Sequence, residues 1–256
     1  MNNKHQAEIV AQFTRQAIPF TQVPGHLDSL SLLVEMAQVT DEDSVLDLAC
    51  GPGLVTCEFA RHARHVTGID FTPAMIEQAR KRQQEAGLVN LDWAVGDVLP
   101  LPYPDDIFAR VITRYSFHHF LDPRAVLAEM IRACMPGGRV LVADVAVDPA
   151  KSAAYDQMEI IRDPSHTHAL DVDEFAELFQ QSGLVACRQG NYGVKIELET
   201  QLRASFPRPG DTERLREMII GDIGVDNLGI NAHREGDAVA YTVPVMIFVG
   251  RKGVKP

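Results

Sequence analysis

Three acidic residues and two glycines are spaced as a nucleoside-like ligand would require. Asp47 lies inside the apolar run Val45 to Ala49, with Gly51 and Gly53 directly after it; Asp70 ends a second apolar run, and Asp97 follows a third after Gly96. A ligand can approach the main chain closely only where side chains are absent, and Gly51 and Gly53 supply that room. Asp70 is placed to accept from both hydroxyls of a ribose, which is also what a dinucleotide site needs. Thr56, however, takes the place of the third glycine of the dinucleotide fingerprint, where it would crowd a helix packed on a pyrophosphate. A ligand without phosphates does not need that glycine. The plain structural alternatives are a helix-capping carboxylate for Asp70 and a turn former before Pro100 for Asp97. Asp47 resists such an explanation, because a lone carboxylate in an apolar strand is costly to bury.

A second group, Arg114-Tyr115-Ser116-Phe117-His118-His119-Phe120, could do proton chemistry. Tyr115, His118 and His119 are the candidate catalytic residues, with His119 favoured, and Arg114 could pair with a ligand carboxylate or with an internal acid. No Asp, Glu or Cys at tight spacing completes a metal set around the histidines. A third group, Arg162 to His168, falls in a polar loop of the kind that carries specificity, although a solvated loop accounts for it equally well. Arg162 and His166, together with Met158 on the preceding helix, are the candidate substrate contacts from this part of the chain. Phe13 near the start and Phe206 in a late segment join them, with Tyr192 and Arg208 nearby.

The elements that must position these groups follow from periodicity. Apolar runs of strand length at Val45 to Ala49, Val66 to Ile69, Leu91 to Val95, Ala109 to Ile112 and Arg139 to Ala143 alternate with helical patterns at Leu54 to Ala63, Pro73 to Ala86 and Pro123 to Cys134. That is the βα rhythm of a parallel sheet. Thr72 and Pro73 predict a helix start, with Thr72 as cap. Pro136-Gly137-Gly138 predicts the turn into the fifth strand. Further helices are expected at Ala153 to Ile161 and, capped by Asp171, at Val172 to Gln181. An edge strand is expected at Val185 to Gln189 and a final strand at Val239 to Val249. The first forty residues read as two helices, Ala7 to Ala17 and Leu27 to Met36, with a turn at Pro24-Gly25 between them.

The chain has 256 residues, 46% of them hydrophobic, and a formal net charge of −11. That charge opposes a nucleic-acid partner, and the basic runs Arg61 to His65 and Arg80 to Arg82 read as solvated helix faces. Cys50, Cys57, Cys134 and Cys187 form no C-x-x-C pair and read as reduced thiols, and no apolar run is long enough to span a bilayer. The expectation is a cytoplasmic protein, monomer or homodimer, with a small-molecule partner and neither nucleic acid nor membrane.

Taken in order, V-L-D-L-A-C-G-P-G, the G-I-D ending the second strand, the G-D before V-L-P-L-P, the F-H-H-F and the M-P-G-G-R-V resemble the class I S-adenosylmethionine (SAM) dependent methyltransferases. The likeness is greatest to the branch holding the ubiquinone/menaquinone-biosynthesis C-methyltransferases, and it covers Val45 to Asp144. It implies a Rossmann-like α/β fold whose seven-stranded, mostly parallel sheet ends in an antiparallel strand, with SAM across the carboxyl ends of the first strands. By the same resemblance, Asp47, Ala49, Gly51 and Gly53 belong to the segment around the methionine moiety, and Asp70 holds the ribose. Asp97, Val98 and Phe71 would meet the adenine, and Arg114 the methionine carboxylate.

The expected organisation is a helical cover over residues 1–40, a SAM-binding core over 41–194, a helical lid over 195–237 and a closing strand over 238–256. The expected activity is methyl transfer to a small organic metabolite. SAM-dependent cyclisation or elimination releasing methylthioadenosine, and a SAM-binding regulator without turnover, are the alternatives.

Overall fold

The structure is a computed structural model, and it describes residues 3–19 and 29–254. Its centre is one sheet built from β1 (Ser44–Leu48), β2 (His65–Asp70), β3 (Leu91–Val95), β4 (Phe108–Arg114), β5 (Cys134–Val145), β6 (Val185–Glu197), β7 (His233–Glu235) and β8 (Ala238–Arg251). The strand order is β3-β2-β1-β4-β5-β8-β6, with β7 paired to β8 beside that path. β1 to β5 are parallel, and β8 runs antiparallel to both β5 and β6. The expected mostly parallel α/β sheet with an antiparallel last strand is therefore present, and the short β7 raises the strand number from seven to eight.

Side-chain alternation assigns the two faces. On one face Val45, Val66, Leu141, Ala143, Ile247 and Val249 pack against the helices α2 (Leu30–Ala37), α3 (Leu54–Ala60) and α6 (Ser152–Arg162). On the other, Leu46, Leu48, Val140, Val142 and Phe248 meet α5 (Pro123–Ala133) and α7 (Val172–Gln181), where Phe175 stacks on Phe248 at 5.3 Å. The period of two along a strand produces both faces from one sequence, as a sheet covered on both sides requires. α4 (Pro73–Glu85) packs beside β2 and β3, and α1 (Asn3–Gln16) lies against α4. α8 (Leu198–Ala204) and α9 (Asp211–Gly221) complete the helices.

Several boundaries differ from expectation for identifiable reasons. β6 runs to Glu197, beyond the expected Gln189, because as an exposed edge it needs little apolar alternation to pair with β8. Thr72 stands at the N-cap of α4 without capping through its side chain; its main-chain N–H donates instead to Asp70 Oδ1 at 2.8 Å. Asp171 does cap α7, in a capping box with Glu174. The turn expected at Pro24-Gly25 lies outside the described residues, as do Phe20 and Leu27.

The strand order reverses between β1 and β4, and at such a switch point the loops beyond the carboxyl ends of the strands diverge and leave a crevice. The loop after β1 and the segment after β4 carry part of the chemistry-bearing residues of the sequence.

Candidate active site

The loop after β1 carries three residues with positive φ, Ala49 at 48°, Gly51 at 52° and Gly53 at 78°. Gly53 admits no side chain, since a Cβ there would come within 2.8 Å of the Trp93 ring, whereas one on Gly51 would meet nothing within 4 Å. Gly51 thus borders open space, with its N–H held at 2.9 Å by Asp70 Oδ2. Asp47 faces the other way. It is buried beneath the loop and accepts the Thr56 hydroxyl at 2.6 Å, and burial pushes its pKa up to about 7 despite that hydrogen bond. The residue that excludes a dinucleotide fingerprint is therefore the partner of the buried carboxylate.

A cleft of about 960 Å³ opens above this loop. Ala49, Gly51, Asp70, Phe71, Asp97, Val98 and Arg114 all line it, while Asp47 and Gly53 do not. Both oxygens of Asp70 already accept main-chain N–H groups, from Gly51 and Thr72, so this carboxylate orders the loop as well as facing the cleft. Burial raises its pKa, against the pull of those two hydrogen bonds. Asp97 accepts from Leu99 N at 3.0 Å and from the Gln6 amide at 2.9 Å, so α1 closes over the cleft at this point.

Arg114 is buried with no carboxylate partner among the described residues. One guanidinium nitrogen donates to the Tyr115 hydroxyl at 2.9 Å, and Nε has no hydrogen bond among the described residues. A buried guanidinium in this state suits a ligand carboxylate. The glycine opening, the acidic strand ends and this unpaired cation fit an amino-acid nucleoside without phosphates, which is the make-up of SAM.

A second cavity, of about 760 Å³, lies beyond the first, and Phe13, Tyr115 and His119 form walls of both. Its floor is a histidine held by a carboxylate. His118 Nδ1 lies 2.6 Å from Asp144 Oδ1, and Asp144 also accepts from Phe117 N at 2.6 Å and Val145 N at 2.7 Å. The charge of His118 and three hydrogen bonds hold the pKa of the fully buried Asp144 below the ordinary value, although burial alone would raise it. The carboxylate fixes the tautomer: Nδ1–H donates to Asp144, and Nε2 has no protein partner among the described residues. Burial lowers the pKa of His118, and the Asp144 charge and hydrogen bond more than reverse this, leaving it above the ordinary value.

His119 is in the opposite state. Its Nδ1 lies 3.0 Å from the Ser165 carbonyl, its ring meets Phe13 edge-on at 5.0 Å, and burial with the neighbouring His118 pushes its pKa well down. It stays neutral and walls both cavities.

The remaining candidates are divided by position. Arg162 lines the second cavity, paired with Glu159, which keeps it charged in spite of burial. Phe13 projects from α1 between the cavities. Met158 is buried in the core cluster under the sheet and lines neither cavity, because its place on α6 is on the packed face. His166 stacks on His118 with ring centroids 5.5 Å apart and bonds Asp156 at 2.7 Å, placing it behind the cavity wall. Phe206 lines neither cavity, and its carbonyl accepts from Gln12 at 3.3 Å. Sequence reasoning did not single out Asp144, Tyr155, Gln201 or Tyr241. Asp144 bore the same signal as Asp47, an acid in an apolar strand, while the others are brought together only by the topology. No group of three or more potential metal ligands occurs among the described residues.

Residues 45–138 match a family described as Methyltransferase domain. Over 232 residues the chain is 26% identical to the uncharacterized methyltransferase YcgJ of Bacillus subtilis (strain 168), covering 88% of this chain and 90% of that protein. The crystal structure of YcgJ superposes with a TM-score of 0.80 at 24% identity, over 89% of this chain and 99% of that one.

The ubiquinone/menaquinone biosynthesis C-methyltransferase UbiE of Roseobacter denitrificans is 33% identical over 117 residues, 44% of this chain and 47% of that protein, so the match spans about half of that relative. Phosphoethanolamine N-methyltransferase 2 of Haemonchus contortus, solved with SAM, shares the fold at a TM-score of 0.64 and 17% identity, over 88% of this chain and 52% of that one. The methyltransferase-domain match runs from β1 into β5, through the strands that carry the glycine loop and the acidic ends. That match, over residues 45–138, and this sheet order are those of the class I SAM-dependent methyltransferase fold.

Proposed function

We propose that this chain transfers a methyl group from SAM, held in the first cleft, to a small organic molecule in the second cavity, with His118 as general base. The observation that carries this reading is the pair of cavities sharing Phe13, Tyr115 and His119, with the Asp144–His118 pair at the floor of the second. SAM supplies a methyl group on a positively charged sulfur, and as the new bond to the methyl acceptor forms, the C–S bond breaks with its electron pair left on a neutral sulfur. The methyl acceptor's proton passes to His118 Nε2, and the Asp144 carboxylate stabilises the imidazolium that results. Phe13 and α1 exclude water from a step in which charge disappears. His119 is the poorer proton acceptor, because burial and the neighbouring His118 hold its pKa well down.

The test is incubation with methyl-labelled SAM and a fractionated metabolite extract. The expected products are S-adenosylhomocysteine and one labelled methylated compound. His118→Gln should lower the rate by about 100-fold or more while binding S-adenosylhomocysteine as the wild type does. Methylthioadenosine formed without any methyl acceptor, or an undiminished rate in His118→Gln, overturns the reading.

A further inference from the structure

We infer that Arg110, Arg139, Arg188 and Arg251, at the end of the sheet away from the cleft, form a binding site for a small soluble ligand bearing a diphosphate group. None of the four lines either cavity, so the inference stands apart from the methyl-transfer reading. Arg110 of β4 is in register with Val45 at the start of β1 and with Arg139 of β5, and Arg139 is in register with Arg251 of β8. Residues in register across neighbouring strands point to the same face of a sheet. Arg188 of β6 pairs with Val249, two residues before Arg251 and therefore on that face as well. Neighbouring strands lie about 4.8 Å apart, which spreads the Cα atoms of Arg110, Arg139 and Arg251 over about 10 Å.

Like charges set opposite one another across strands are destabilising, and little in the chain offsets these. Three of the arginines close on the carboxyl end of α2. Arg110 donates to Ala37 O at 2.8 Å and to Gln38 O at 2.6 Å, Arg188 donates to Met36 O at 2.7 Å, and Arg139 donates to the Gln38 side-chain oxygen. Those acceptors are uncharged, and a helix end supplies only about half a negative charge. Among the described residues Asp43 is the only carboxylate paired with the group, 3.0 Å from Arg110, and it also accepts from Thr40 N at 2.7 Å. One carboxylate against four guanidiniums leaves an excess of three positive charges. Arg139 Nε is buried without a hydrogen-bond partner, and Arg251 is exposed with no carboxylate paired to it among the described residues. Burial, and then the charges of Arg110, Arg188 and Arg251, lower the pKa of Arg139, so the four act on one another as a group.

The chemistry of the group selects the ligand. Guanidinium forks pair with the oxygens of carboxylates and phosphates, and a multiply charged oxyanion answers the excess charge best. A diphosphate offers oxygens on two linked phosphorus atoms and can meet the Arg139 and Arg251 forks together, where a single phosphate meets fewer donors. The net charge of −11 repels a polyanionic polymer or an anionic membrane, which feels the field of the whole molecule. A small ligand within a screening length of about 8–10 Å feels chiefly the arginines.

Calorimetric titration of the whole chain with pyrophosphate, at an ionic strength held constant with sodium chloride, tests this. Pyrophosphate should bind more tightly than inorganic phosphate, and equally well to the free protein and to protein saturated with S-adenosylhomocysteine. Arg251→Gln and Arg139→Gln should each weaken binding about tenfold or more. Lys81→Gln, which removes the same charge from an exposed position on α4 beside β2 and β3, should leave it unchanged. Circular dichroism melts show whether each variant is folded, and the exposed position of Arg251 makes its replacement the safer comparison.

No binding of pyrophosphate, inorganic phosphate binding as tightly, unchanged affinity in a folded arginine variant, an equal loss in Lys81→Gln, or displacement of pyrophosphate by S-adenosylhomocysteine would each overturn the proposal. So would sedimentation with vesicles of phosphatidylcholine and phosphatidic acid in the absence of pyrophosphate binding, which would assign the arginines to a membrane surface. If S-adenosylhomocysteine itself fails to bind, the methyl-transfer reading falls and the titration of the free protein still decides this one.

Discussion

At the scale of single residues, the structure separates two adjacent histidines that composition treats alike. His118 and His119 differ in what Nδ1 meets: a buried carboxylate at 2.6 Å in one case, a carbonyl at 3.0 Å in the other. The Asp144 charge and hydrogen bond outweigh burial at His118, whereas at His119 burial and the neighbouring His118 outweigh the carbonyl contact, so the pKa values move in opposite directions. A base must be neutral to accept a proton. Methyl transfer should therefore rise with pH and level off above the raised pKa of His118. Removing the negative charge with Asp144→Asn lowers that pKa, so the rising limb should move to lower pH while the plateau falls. A profile of kcat/KM against pH checks this, and an unshifted limb in the folded variant would show that Asp144 does not tune the base.

The pair also links pH to stability. Because the folded pKa of His118 lies above its unfolded value, its contribution is present at low pH and is lost as pH rises through the folded value. The sequence nominated both histidines and favoured His119, because the partner that distinguishes them, Asp144, stands at the end of a different strand, 26 residues from His118.

At the scale of elements, α1 is the segment whose residues reach most of the site. Gln6 donates to Asp97, Phe13 packs on His119, and Gln16 donates to Asp163 Oδ2 at 3.0 Å, all from one helical face with the spacing that repeats every three to four residues. A ligand that occupies the cleft and satisfies Asp97 competes with Gln6, while gaining apolar contact with Ile9 and Phe13. Saturation with S-adenosylhomocysteine should increase hydrogen-exchange protection across α1 and the Gly51 to Gly53 loop together. Protection confined to the loop would mean that α1 merely covers the sheet.

What could be read of the elements followed the strength of their local signals. β3 and α7 were legible to the residue, the latter because Asp171 and Glu174 mark its start and the apolar positions repeat at helical spacing. The far half of β6 was not, because a solvent-facing edge strand carries little hydrophobic alternation. Met158 has the apolar character of a pocket residue, but which face of α6 met the core was decided by α9, an element that sequence periodicity cannot place.

At the scale of the whole molecule, one sheet divides the work. The switch point between β1 and β4 makes the first cleft, and the antiparallel return of β8 beside β5 brings Tyr241 and Val243 to the second cavity. The first cleft was legible because its residues follow consecutive strands in order, each strand end marked by glycine or an acid. The second was not, because its walls come from α1, β5, α6, β6, α8 and β8, which are distant in sequence.

The central claim is that the cleft at Gly51, Asp70 and Asp97 holds SAM, and calorimetric titration with S-adenosylhomocysteine tests it most directly. The account predicts one site on the wild type, and binding weakened by roughly 1.5–3 kcal/mol in folded Asp70→Ala, which loses both the carboxylate facing the cleft and the brace on Gly51 N. No binding to the wild type, or equal affinity for the wild type and the folded variant, would contradict it.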